Sequence, residues 1–180
     1  MTTASPVFAR STLWQIPAAV ALAVAAVLLV GTGPQSLPLL YLAAITPALC
    51  ESDLRHHRLP NRLQLPAYPV AAVALGIQAV QSSQFPLVAI LSGVTYLAFM
   101  FALSVAGGMG MGDVKLAGAL GLSAGMLGLD TAIASPVVAF LAGGVVSVVV
   151  LVAGRGRRGI RIPFGPFMLA GFWVAVLLER

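Results

Sequence analysis

PLVAILSGVTYLAFMFALSVAGGMGMGDVKLAGALGLSAGMLGL, residues 86–129, consists of two apolar runs joined by a glycine-rich break, with Asp113 at the start of the second run. Each run is long enough for a helix in a membrane, where a crossing takes about 20 mostly apolar residues. The break GGMGMG (107–112) makes the pair a helical hairpin. A carboxylate is costly near hydrocarbon, so Asp113 is retained for a function more readily than for packing.

The rest of the chain has the same character. Hydrophobic residues make up 59% of the 180 positions and charged residues 8%, with a mean hydropathy of +1.01, against about 25% charged for a soluble domain. Further apolar segments fall at 13–32, 37–54, 66–81, 131–153 and 164–178, with breaks at GTGPQS (31–36), RHHRLPNRLQLP (55–66), QSSQ (81–84), Asp130 and GRGRRGIRIP (154–163). The fold expected is all-α, a polytopic transmembrane bundle of about seven helices. It forms a single domain: residues 1–36 supply a tail and an extra N-terminal helix, and residues 37–180 supply a six-helix core. The lone Cys50 excludes an internal disulfide framework and a four-cysteine zinc site. The net charge of +5 is scattered over short loops rather than gathered on one face, which argues against nucleic acid as a partner.

Seven crossings put alternate loops on the same side. With a cytoplasmic N-terminus, Arg10, Arg55, Arg58, Arg62, Lys115, Arg155, Arg157, Arg158 and Arg161 all fall inside and only Arg180 falls outside, as the positive-inside rule requires. Asp53 and Asp113 then lie at the cytoplasmic ends of their helices, on one membrane face. Arg10 followed by an apolar stretch also resembles the start of a secretory signal. The run continues into GTGPQSLP without an A-x-A pattern, so it is read as a retained helix.

Around Asp113, Gly107, Gly108, Gly110 and Gly112 remove side chains where a substrate backbone would approach. The competing reading is structural, since Asp is a preferred N-cap and glycines commonly join helices. A Rossmann reading fails because no strand precedes the glycines. Gly118, Gly121, Gly125 and Gly128, spaced three, four and three apart, share one helix face and are expected to seat the Asp113 helix closely in the bundle. That segment is short for a crossing, which calls for local bilayer thinning or shielding by neighbours.

Asp53 before a basic loop ending in LPN (59–61), GMGDVKL (110–116) and IPFGPFMLAG (162–171) occur in the order found in the type IV prepilin peptidases, GxGD-type intramembrane aspartic proteases, and the chain resembles that family over residues 37–180. The resemblance implies a catalytic dyad of Asp53 and Asp113 that removes the leader of pilin-like precursors at the cytoplasmic face of a prokaryotic plasma membrane. It implies an active-site rim at Pro163, Phe164, Gly165 and Pro166, and support from Gly110, Gly112 and Lys115. Larger members resemble a fusion to a methyltransferase region with paired CxxC motifs. This chain has neither, so N-methylation is not expected, and the compact form looks like the peptidases of Flp or tight-adherence pili. No cofactor and no metal is implied; the partners are the precursor and membrane lipid.

The chemistry follows from the residues as well. Amide hydrolysis by two carboxyls needs one carboxylate to activate water and one protonated carboxyl to polarise the carbonyl. Two close aspartates favour that singly protonated state. Asp113 lies near its helix N-terminus and Asp53 near a helix C-terminus, so the helix dipoles assign Asp113 as base and Asp53 as acid. Lys115 reads first as a snorkelling cation at the boundary and second as a charge acting on Asp113 or substrate. Glu51, His56 and His57 fit a solvated loop, and paired histidines with no matched ligands are weak metal candidates. The arginines at 155–161 fit topology and contact with anionic headgroups. Pro163 and Pro166 limit helix formation, and Phe164 and Phe167 have the bulk to fill an intramembrane site. The alternative class is a proton- or cation-coupled transporter using the paired aspartates. Against it, no acid is placed mid-bilayer to continue a path.

Overall fold

Hydrocarbon offers backbone N–H and C=O groups no partner, so each apolar run must close its hydrogen bonds internally. The computed structural model, which describes residues 7–153 and 163–179 and side chains from Trp14 onward, contains α1 (Val7–Val30), α2 (Ser36–His56), α3 (Asn61–Gln64), α4 (Ala67–Ser82), α5 (Leu87–Val105), α6 (Met111–Leu127), α7 (Leu129–Val152) and α8 (Gly165–Leu178). Seven long helices therefore occupy the seven apolar segments. The basic stretch 55–66, expected as a loop, contains in addition the single turn α3, and Asn61–Ser82 is long and apolar enough to be one span. Ser36–His56, Leu87–Val105 and Leu129–Val152 also meet that measure. The chain is an integral membrane protein.

The helix stops are local. Gly31 and Gly107 take φ of +79° and +82° after α1 and α5, a region open to glycine at little cost. His57 adopts the left-handed conformation, φ 49°, and returns its N–H to the Asp53 carbonyl at 2.8 Å, which ends α2. The break between α6 and α7 falls at Gly128 and not at Asp130. Asp130 sits in the first turn of α7, where a negative charge suits the helix dipole.

Helices pair as hairpins, α1 on α2, α5 on α6 and α7 on α8, with α2, α6 and α8 at the centre. On α6, 11 of 17 residues are buried, against 4 of 24 on α7, so the short helix is shielded by its neighbours. The close α5–α6 approach comes from glycine: a Cβ at Gly121 would lie 2.7 Å from the Ser92 carbonyl, and one at Gly125 would lie 2.6 Å from Ala89 Cα. Gly118 likewise faces Tyr68 and Leu97, but Gly128, at the helix end, would meet only Glu179 at 3.8 Å. Three of the four expected glycines thus pack and the fourth serves the turn. Gly171 does the same for α7–α8, where a Cβ would lie 2.6 Å from Ala139 N. Trp173 Nε1 donates to Thr46 Oγ1 at 3.1 Å and ties α8 to α2. Outer faces carry exposed apolar side chains such as Val24, Leu91, Val94, Ile133, Leu141 and Val148, suited to lipid.

Helix directions alternate, so the end of α2, α3, the α5–α6 loop, the end of α7 and the start of α8 share one end of the bundle. Lys115 Nζ donates to Asn61 Oδ1 at 3.1 Å across that end. At the other end Thr131 Oγ1 donates to Glu179 at 2.6 Å. Arg55, Arg58, Arg62 and Lys115 gather at the first end, as the alternation of charge requires. The side chains of Arg10, Arg155, Arg157, Arg158, Arg161 and Arg180 lie outside the described residues.

Candidate active site

Each aspartate is placed by the end of its own helix and held by the start of a helix. Asp53, one turn before the end of α2, is 6% exposed. Its Oδ2 accepts the Gly165 N–H at 2.9 Å, a buried bond to the first residue of α8. Asp113 is the third residue of α6, and its Oδ2 accepts the Gly110 N–H at 3.2 Å. It is therefore not the N-cap: Gly110 occupies that position and Asp113 reaches back to it, one half of a capping box.

This arrangement corrects the electrostatic expectation. The dipole of α2 alone disfavours an anion at Asp53, yet the N-terminus of α8 is aimed at that carboxylate, and Asp113 lies at the N-terminus of α6. Both aspartates face the positive end of a helix. The helix dipoles therefore do not distinguish Asp113 as base from Asp53 as acid.

The carboxylates border two cavities. One, of about 830 Å³, is lined by His56, His57, Arg58, Asn61, Gly112 and Lys115 along with both aspartates. The other, of about 640 Å³, shares Asp53, His57, Gly110 and Asp113 and continues past Phe140, Gly143, Pro163, Phe164 and Phe167. Of the residues singled out in the sequence, Gly110, Gly112 and Lys115 line the first cavity and Pro163 and Phe164 the second. Gly165 binds Asp53, and Pro166 sits in the first turn of α8, where a missing N–H costs nothing. Glu51 turns away: Gln15 of α1 donates to it at 2.5 Å and Arg55 pairs with it at 2.9 Å.

Leu59 had no distinguishing signal in the sequence beyond its place in LPN. It is buried, and it wedges between two helix starts: a Cβ at Gly112 would lie 3.1 Å from Leu59 Cβ, and one at Gly165 3.1 Å from Leu59 Cδ2. Gly112 and Gly165 are thus the glycines that let α6 and α8 close around the α2–α3 loop. Tyr96, on α5, is buried with its hydroxyl unpartnered among the described residues. Among the described residues no three His, Cys, Asp or Glu side chains form a metal-ligand set.

Fold and site together define a polytopic membrane protein with a two-aspartate cleft at one end of its bundle. Residues 39–152, which contain both aspartates, match the type IV leader peptidase family, and the chain belongs to that family. It is 31% identical over 157 residues to the prepilin leader peptidase/N-methyltransferase of Xanthomonas campestris pv. campestris, an alignment covering 85% of this chain and 54% of that protein. The chain thus spans about half the length of this curated relative. No solved structure gives a significant match.

Proposed function

We propose that the chain is an aspartic endopeptidase that removes the leader from type IV pilin-like precursors, with Asp53 and Asp113 as its catalytic pair. The observation that carries this reading is the convergence of these two carboxylates, 60 residues apart in sequence, on one cleft where each accepts a backbone N–H. One carboxylate takes a proton from water as the water attacks the scissile carbonyl, and the other, protonated, donates to the carbonyl oxygen. Close carboxyls share one proton because both do not ionise readily at short range, so the pair enters the reaction in the state it needs. Lys115, held by Asn61 on the cleft wall, and the rim residues Pro163 and Phe164 position the peptide, while Gly165 and Pro166 start α8 where its first N–H holds Asp53.

The finer reading places the cleft on the cytoplasmic side of the plasma membrane, on the strength of the basic residues at that end, with anionic lipid beside them. It takes precursors of the Flp or tight-adherence kind as substrates. It also excludes methyl transfer by these 180 residues, in which Cys50 is the sole cysteine. A transporter is less well supported, because Asp130 and Glu179 lie at the opposite end and no acid bridges the two ends. Coexpression with a small pilin-like precursor tests the proposal by mass analysis of the product. The native chain yields the shortened precursor, whereas Asp53→Asn and Asp113→Asn each leave it intact. Full cleavage by either variant refutes the pair.

A further inference from the structure

The two cavities meet at the aspartates but differ in chemistry. The larger is walled by His56, His57, Arg58, Asn61 and Lys115. Beyond Asp53, His57 and Asp113, which it shares with the larger, the smaller is walled by Phe140, Phe164 and Phe167 and by the backbone of the glycines of the α5–α6 loop and α7. Its rings form a continuous run, with centroids 5.0 Å apart for Phe140–Phe164 and 6.3 Å for Phe164–Phe167. A Cβ on Gly143 would lie 2.9 Å from Phe164, so the ring occupies the space a side chain would fill. Gly144, beside it, is exposed, and a Cβ there would meet nothing within 4 Å. The Ser147 hydroxyl donates to the Gly143 carbonyl at 2.7 Å, so its proton is already used within α7. The groove therefore opens beside the lipid-facing side of α7, where Leu141, Val145 and Val148 are exposed, and runs from there to the carboxylates.

A peptide bond held between the aspartates must send one flank into each cavity. We propose that the α7–α8 groove is the subsite for the apolar flank of the substrate: Gly144 admits its backbone, Gly143 lets the Phe164 ring close against α7, and Phe140, Phe164 and Phe167 receive the side chain next to the cleaved bond. The polar flank lies in the His56–Lys115 cavity. The groove commits to this occupant because it is continuous with the aspartates, carries aromatic rings and no ionisable side chain beyond the shared Asp53, His57 and Asp113, and borders the exposed apolar face of α7 where an apolar segment resides. The inference rests on the peptidase reading, and its tests separate the two.

Gly144→Leu places a side chain in open space without a clash inside the protein. It is expected to keep the native melting temperature while raising KM for the precursor about tenfold or more, with Gly144→Ala between, in line with what misfit at a side-chain pocket costs. Val149→Leu, on the exposed face of α7, is expected to cleave normally. Phe167→Ala, which enlarges the pocket, is expected to shift preference about tenfold toward precursors with a larger residue at that position. A native KM in Gly144→Leu, or an unchanged preference in Phe167→Ala, overturns the subsite. A second readout needs no cleavage: Gly144→Cys, made in the Asp113→Asn background and treated with a mild thiol oxidant such as copper phenanthroline, which takes up the two electrons, forms a disulfide with a precursor carrying one cysteine on its apolar flank. That adduct without cleavage by the native chain sinks the peptidase reading and keeps the groove, and cleavage without the adduct does the reverse.

Discussion

Gly165→Ala is the sharpest single test of how the site is built. The added Cβ would lie 2.7 Å from Asp53 Oδ2, 3.3 Å from its Cγ and 3.1 Å from Leu59 Cδ2. Neither neighbour is a free end. The carboxylate is held by the Gly165 N–H at 2.9 Å, and Leu59 is wedged against α6. Relief requires several tenths of an ångström of movement at Asp53 or a shift of α8. Overpacking of this kind costs about 1–3 kcal/mol, and a hydrogen bond to a charged acceptor contributes about 1.5–3 kcal/mol. A displacement near 1 Å in a catalytic group lowers rate about 100-fold. The expected result is kcat/KM down about 100-fold, with a modest loss of stability. The assay is cleavage of a purified precursor in detergent alongside thermal unfolding, repeated in an Asp53→Ala background. There the clash with the carboxylate is gone and only the Leu59 contact remains, so Gly165→Ala should destabilise less, with a coupling of about 1 kcal/mol or more between the two positions. Native turnover by Gly165→Ala, or additive stability effects, would show that the α8 N-terminus does not hold Asp53.

Asp53→Asn and Asp113→Asn should each lower cleavage about 10³-fold or more while leaving the fold intact, measured by turnover and circular dichroism. Tyr96→Phe removes a buried hydroxyl with no partner among the described residues; its melting temperature should be unchanged or higher, by up to about 1 kcal/mol of stability. Gly121→Ala should destabilise by about 1–3 kcal/mol because its Cβ meets the Ser92 carbonyl, whereas Gly128→Ala should be tolerated, as scanning calorimetry would reveal. Thr131→Val breaks the bond to Glu179 at the far end; it should cost about 1–2 kcal/mol of stability and leave kcat untouched.

The helices were legible because lipid enforces a simple code: apolar runs of crossing length, broken by Gly, Pro or charge. The seven segments read from that code coincide with the seven long helices to within a few residues in most cases, and the Gly118, Gly121 and Gly125 stripe marked the α5–α6 contact. The single turn α3 escaped because it sits in a basic, proline-flanked stretch that reads as loop. Asp53 and Asp113 stood out as acids in an oily chain, and the sidedness of nearby charges put them on one membrane face, the end of the bundle where both line the same cavities. The donor to Asp53 was invisible, since Gly165 lies 112 residues away and only the third dimension brings α8 to α2. Leu59 and Gly144 escaped for a plainer reason: a leucine in a loop and a glycine in an apolar helix look ordinary until the space around them is known.

Because Asp53 and Asp113 each accept a main-chain N–H, from Gly165 and Gly110, those donors belong to the path of the chain and not to any neighbouring side chain. No point substitution short of proline can delete those donors. The surrounding side chains are thus free to drift, so long as α6 and α8 continue to start where they do and Gly112 and Gly165 stay small. Adapting such a cleft to a new substrate can proceed by changing its walls while the electrostatic setting of its aspartates is inherited unchanged.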